Sequence, residues 1–67
     1  MNYKKLVKEL REKLIITQVE LAELLGVSYA SINRWETGKH EPTTKVKRII
    51  VELCKNNNVD IEKYRGN

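Results

Sequence analysis

Apolar residues recur along this chain at spacings of three and four. Tyr3, Leu6, Val7, Leu10 and Leu14 form the first such stripe, with Lys4, Lys5, Lys8, Glu9 and Glu12 on the other side. That pattern predicts an amphipathic helix over residues 3–14. Ile15-Ile16 breaks the period. Thr17-x-x-Glu20 then reads as a capping box, in which the Thr17 hydroxyl accepts from the backbone N–H of residue 20 and Glu20 reaches back. Leu21, Leu24 and Leu25 supply the buried stripe of a second helix. Gly26 ends it, because a left-handed residue there costs no Cβ clash, and Val27 follows as the hydrophobic contact that accompanies such an ending.

Ser28 is the next N-cap, only two residues past Gly26. The third helix runs to about Thr37 and Gly38 closes it. Lys39 to Pro42 is a loop. Thr43 or Thr44 caps a fourth helix, whose Val46, Ile49, Ile50, Leu53 and Cys54 repeat with helical period, and the Asn56-Asn57-Asn58 run ends it. Residues 59–64 read as a short fifth helix, with Asp60 as cap and Val59 and Tyr64 as a hydrophobic staple. No segment alternates as a strand would, so the chain is expected to be all-α: a four- or five-helix bundle forming one domain over 1–67.

Composition narrows the function. With 67 residues, a domain buries only about 60% of the surface that its unfolded chain exposes, leaving little room for a deep pocket beside a core; an enzyme is not expected. Charged residues make up 33% and hydrophobic ones 40%, too apolar for disorder and too charged for a membrane span. The N-terminal residues have no signal-peptide core, and the lone Cys54 permits no intrachain disulfide. A cytoplasmic setting fits. One His and one Cys fall short of a metal-ligand set, and no cofactor is implied.

The net charge of +4 is unevenly spread. Residues 1–13 hold five basic and two acidic groups; residues 39–48 hold Lys39, Lys45, Lys47 and Arg48 against Glu41. Each segment is net +3. If the fold brings them together they form one patch suited to a polyanion; otherwise they are solvated surface.

The turn Leu25-Gly26-Val27-Ser28 joins the second and third helices so tightly that they must cross steeply, and Ala22 supplies the small residue such a crossing needs. Ile32 and Trp35 lock the third helix onto the others. This is a helix-turn-helix, whose second helix usually reads the major groove. The run Thr17-Gln18-x-Glu20-Leu21-Ala22-x3-Gly26-Val27-Ser28, then Ile32-x2-Trp35-Glu36-x-Gly38-Lys39 and Pro42, closely resembles the Cro and phage-repressor (XRE-like) helix-turn-helix family over roughly residues 6–54. The chain departs from the family's pattern at two places. Many relatives have Gly or Asn where Ile15 stands; a β-branched residue tolerates a left-handed cap badly, so the first helix is expected to end by another geometry. Some relatives have a basic residue in the loop after the third helix that enters the minor groove, whereas this loop reads Glu41-Pro42-Thr43-Thr44.

On a wheel of about 100° per residue, Ile32 and Trp35 mark the core side of the third helix, and Ala30, Asn33, Arg34 and Thr37 lie opposite. Arg34 can donate in pairs to guanine, Asn33 can pair with adenine, and Ala30 can touch a thymine methyl; the competing reading of each is an ordinary exposed helix residue. Tyr29 either meets the DNA backbone or covers Leu25. Gln18 stands at a helix N-terminus, which favours phosphate, and the resemblance implies the same contact. It also implies phosphate contact for Lys39, with Thr37 as companion, and a structural salt bridge between Glu36 and Arg11. Thr17, Ser28 and Ser31 complete the candidate phosphate set, with Thr17 first a cap. Trp35 is expected in the core, Cys54 as an inert hydrophobe and His40 in an exposed loop. Lys45, Lys47 and Arg48 add long-range attraction or solubility.

The expected function is sequence-specific binding to double-stranded DNA, as a small transcriptional regulator that blocks or recruits polymerase. Rival readings are a DNA-targeting module of a larger protein, such as a DNA-modifying enzyme, and an antitoxin whose second partner is a toxin protein. One recognition helix reads few base pairs, so a weak homodimer is expected, with Val51, Ile61 and Tyr64 as candidate contacts.

Overall fold

Every helix starts where a short polar side chain takes over a free backbone N–H. In the computed structural model, which describes residues 1–65, the helices are α1 (Tyr3–Leu14), α2 (Gln18–Leu25), α3 (Tyr29–Glu36) and α4 (Thr44–Asn56). Asn2 caps α1 by accepting from Lys5 N–H at 3.2 Å. Thr17 and Glu20 form both halves of the capping box on α2, at 3.1 and 2.9 Å. Ser28 caps α3 through Ser31 N–H, and Thr43, rather than Thr44, caps α4 through Val46 N–H. Each cap satisfies one of the donors that a helix leaves unpaired at its first turn.

The helices also end alike. A left-handed residue follows each of them: Ile15 at φ 57°, Gly26 at 69°, Gly38 at 79° and Asn58 at 59°. The next residue's N–H then reaches back to a carbonyl in the last turn: Ile16 to Arg11 at 3.1 Å, Val27 to Ala22 at 3.0 Å, Lys39 to Arg34 at 2.9 Å and Val59 to Cys54 at 2.9 Å. Ile15 corrects the expectation of another geometry. It takes the strained conformation, and its side chain points into solvent, 89% exposed. The backbone bonds of the turn, donated by Ile15 and Ile16 to Glu12 and Arg11, hold it there.

Leu6, Val7 and Leu10 of α1, Leu21, Ala22 and Leu25 of α2, Ile32 and Trp35 of α3, and Ile50 and Cys54 of α4 form one apolar cluster, closed by Val59 and Ile61. The most extensive helix packing is that of α3 against α1 and α2, so the helix with the outward polar face is held from two sides. Leu24 and Ile49, expected on the buried stripes, lie on the surface instead. Each flanks its stripe, and the neighbouring helix does not reach that flank. The expected fifth helix is only a 3-10 turn, Glu62–Tyr64. Asp60 accepts from Glu62 N–H at 3.0 Å, which closes a local turn and does not launch an α-helix. Ile61 is buried, and Tyr64 is half-buried with its hydroxyl on Glu9. Asn2 N–H donates to Tyr64 C=O at 2.9 Å, so this end is closed within the chain; Ile61 is removed as a dimer contact. Val51 is half-buried against the core.

Candidate nucleic-acid interface

Helix α3 is turned by its two apolar anchors. Ile32 is fully buried and Trp35 is 6% exposed, so Trp35 belongs to the core and not to a stacking surface. The opposite side, Ala30, Asn33, Arg34 and Thr37, is exposed. Arg34 makes no ion pair among the described residues, leaving its planar fork of donors free. Tyr29 is 51% exposed, so about half of its surface is open to solvent at the start of α3. The hydroxyls of Ser28 and Ser31 are 3.0 Å apart and share a hydrogen bond beside the cap. Thr37 donates its hydroxyl back to the carbonyls of Asn33 and Arg34, at 2.9 and 3.2 Å. Its single hydroxyl proton is therefore used within the helix in this structure. His40 is exposed in the loop.

Beneath this face sits a carboxylate that orders its surroundings. Arg11 Nε and Nη2 donate to the two oxygens of Glu36, both at 2.9 Å. Gln18 Nε2 donates to the same carboxylate at 3.1 Å. Burial pushes the Glu36 carboxyl upward, but the hydrogen bonds from Arg11 and Gln18 outweigh it and hold the group below the usual carboxylate range. The acid that would repel phosphate is thus turned inward and neutralised. The same bond fixes Gln18 at the N-terminus of α2 and leaves the second N–H of its amide as a donor. The link from Gln18 to Glu36 was not anticipated from the sequence; only the Arg11 partnership was. Nothing local signals it, since the two residues are eighteen positions apart.

The loop after α3 brings Lys39 to the same end of the helix. Its neighbour Gly38 lies under α1: a Cβ built on Gly38 would stand 3.4 Å from Lys4 Cδ. Lys8, one turn along α1, adds its positive field at Glu36. Lys47 does not join this group; its ammonium pairs with Glu41 at 3.0 Å and lies 4.9 Å from the centre of the Tyr3 ring. Cys54 is buried in α4, and burial pushes its thiol up to about 11, so it is an unreactive filler at neutral pH.

A helix-turn-helix family model matches residues 7–63. The chain belongs to the Cro/C1-type, XRE-like helix-turn-helix family. The match reaches beyond the segment that carries the sequence resemblance and takes in α4 and most of the closing 3-10 turn. No curated protein and no solved structure matches the chain. The Cro/C1-type helix-turn-helix is a DNA-binding regulatory domain and not typically enzymatic. Among the described residues, no helix is long and apolar enough to cross a membrane.

Proposed function

We propose that this chain is a sequence-specific, operator-binding transcriptional regulator acting in the cytoplasm, with α3 in the major groove. The observation that carries the reading is the exposed polar face of α3 on a doubly anchored helix, centred on an Arg34 without an ion-pair partner among the described residues. Arg34, Asn33 and Ala30 read base edges, with Tyr29 beside them. Gln18, Lys39, Thr17, Ser28, Ser31 and Thr37 line the flanking phosphates. Thr37 and the two serines reach phosphate by rotating hydroxyls now used in local bonds. Regulation is steric: the bound protein occludes or recruits polymerase.

The domain's longest dimension is 26 Å, less than the roughly 34 Å of one DNA turn. Two copies on an inverted repeat double the base pairs read, which supports a weak homodimer that DNA stabilises. Of the contacts expected for it, Val51 and the edge of Tyr64 remain.

The test is selection from random duplexes followed by Arg34→Ala. The variant is expected to lose discrimination at one base pair per half-site, at about 1–3 kcal/mol. Equal loss on the selected and a scrambled duplex would assign Arg34 to phosphate alone. Sedimentation equilibrium on the selected duplex checks the dimer; a one-to-one complex on a site without two-fold symmetry would sink it.

A further inference from the structure

The two basic segments of the sequence, 1–13 and 39–48, meet at Gly38. Lys4, Lys8 and Arg11 stand at i, i+4 and i+7 on α1 and so share one face of it. Arg11 fixes where that face points, since it is held by Glu36 at the end of α3. Lys4 lays its methylene stem over Gly38, beside Lys39. A stem packed on backbone loses less freedom when its ammonium is later engaged.

The acids of this region are mostly accounted for. Glu36 is taken by Arg11 and Gln18, and Glu41 by Lys47. Glu12 lies one turn beyond Lys8, away from Gly38, and raises the Arg11 pKa after Glu36 has done so. Lys4, Lys8 and Lys39 therefore form a run of three cations with no ion pair among the described residues. The remaining cations of α1 lie elsewhere: Lys13, for instance, acts on Glu9, on the side closed by the 3-10 turn.

We infer that Lys4 and Lys8 form a second phosphate-binding ridge on α1, which engages the DNA backbone where it passes the C-terminal end of α3, next to Lys39. The inference rests on the DNA-binding reading above and extends its contact surface to a helix outside the helix-turn-helix. The ridge reads no sequence; it holds the register in which α3 meets the bases.

The test compares the full chain with Lys4→Gln/Lys8→Gln on the selected duplex and on a mixed-sequence duplex, as salt is varied. Lys13→Gln/Lys55→Gln removes the same charge from elsewhere and is the control. The ridge variant is expected to reduce the log–log salt slope by about two units. Its loss of affinity between about 50 and 200 mM salt would then be about tenfold smaller than that of the wild type. Both duplexes should weaken together, so the ratio between them stays unchanged, and circular dichroism should show the same helix content. A ridge variant with the wild-type slope would overturn the assignment while leaving the DNA reading intact. A control that loses as much slope as the ridge variant would also overturn it, showing only diffuse charge attraction. A wild-type chain that binds neither duplex would remove the DNA reading and the ridge with it.

Discussion

The junctions α1–α2 and α2–α3 are built on one plan, eleven residues apart, yet different residues fill the plan. Each has a left-handed residue, a half-buried apolar residue and a hydroxyl N-cap: Ile15-Ile16-Thr17 in the first, Gly26-Val27-Ser28 in the second. Each repeats the same pair of backbone bonds, to Glu12 and Arg11 or to Glu23 and Ala22. The residue that accepts the bond of longer span in sequence is Arg11 in one and Ala22 in the other. Arg11 reaches across to Glu36, so the first junction is tied by charge to the end of α3. Ala22 is buried on a helix that packs against α3, and its small side chain permits close approach. One turn geometry thus serves two means of fixing the recognition helix. The left-handed site is relaxed at Gly26 and strained at Ile15.

The sharpest way to break the second junction is Ala22→Leu. Overpacking a tight crossing costs about 1–3 kcal/mol, a large share of the stability of so small a domain. Thermal unfolding should show a sharply lowered midpoint, and an unchanged midpoint would mean that the helices do not meet at Ala22.

The first junction is tested through its partner. Glu36→Gln keeps the shape but removes the charge, leaving Arg11 half-buried without its anion, at about 1–2 kcal/mol near neutral pH. The folded-state pKa of Glu36 lies below its ordinary value. Its contribution is therefore present above the unfolded value of about 4.3 and is lost as pH falls through the lower folded value. The stability gap between wild type and Glu36→Gln should close in that acid window. A gap that does not narrow however far the pH is lowered would show that the carboxylate charge is not what holds Arg11.

The smallest effects separate the two left-handed sites. At Gly26 a Cβ would meet nothing within 4 Å, so Gly26→Ala measures backbone strain alone and should cost about 1 kcal/mol. At Ile15 the side chain is almost wholly in solvent, so Ile15→Gly loses no packing. Relief of about 1–2 kcal/mol of strain is partly offset by about 0.5–1 kcal/mol of glycine's extra freedom in the unfolded chain. A net gain of about 0.5 kcal/mol is expected by chemical denaturation. If Ile15→Gly destabilises instead, the two junctions differ in more than the residue at the turn.

The helix boundaries were legible in the sequence because they rest on bonds between close neighbours. Thr17 with Glu20, Ser28 with Ser31, Thr43 with Val46, and the turn at Gly26 all act within five residues, so the residue types themselves specify them. The outward face of α3 was legible for a related reason: Ile32 and Trp35 leave only one way for so short a helix to face. Three features were not legible. Leu24 and Ile49 fit helical stripes and yet stay exposed, because spacing defines how wide a stripe is but not which edge a neighbouring helix covers. Ile15 adopts a conformation that its side chain disfavours, because the backbone bonds across the turn outweigh the local preference. Charge counting located two basic segments, and the family resemblance implied the pairing of Arg11 with Glu36, but only the packing of α1 over the end of α3 lays Lys4 on Gly38 and brings Gln18 to the carboxylate that Arg11 holds. Those contacts span eighteen to thirty-four residues, and the angle at which two helices cross is set by all the side chains between them, not by any one residue's type.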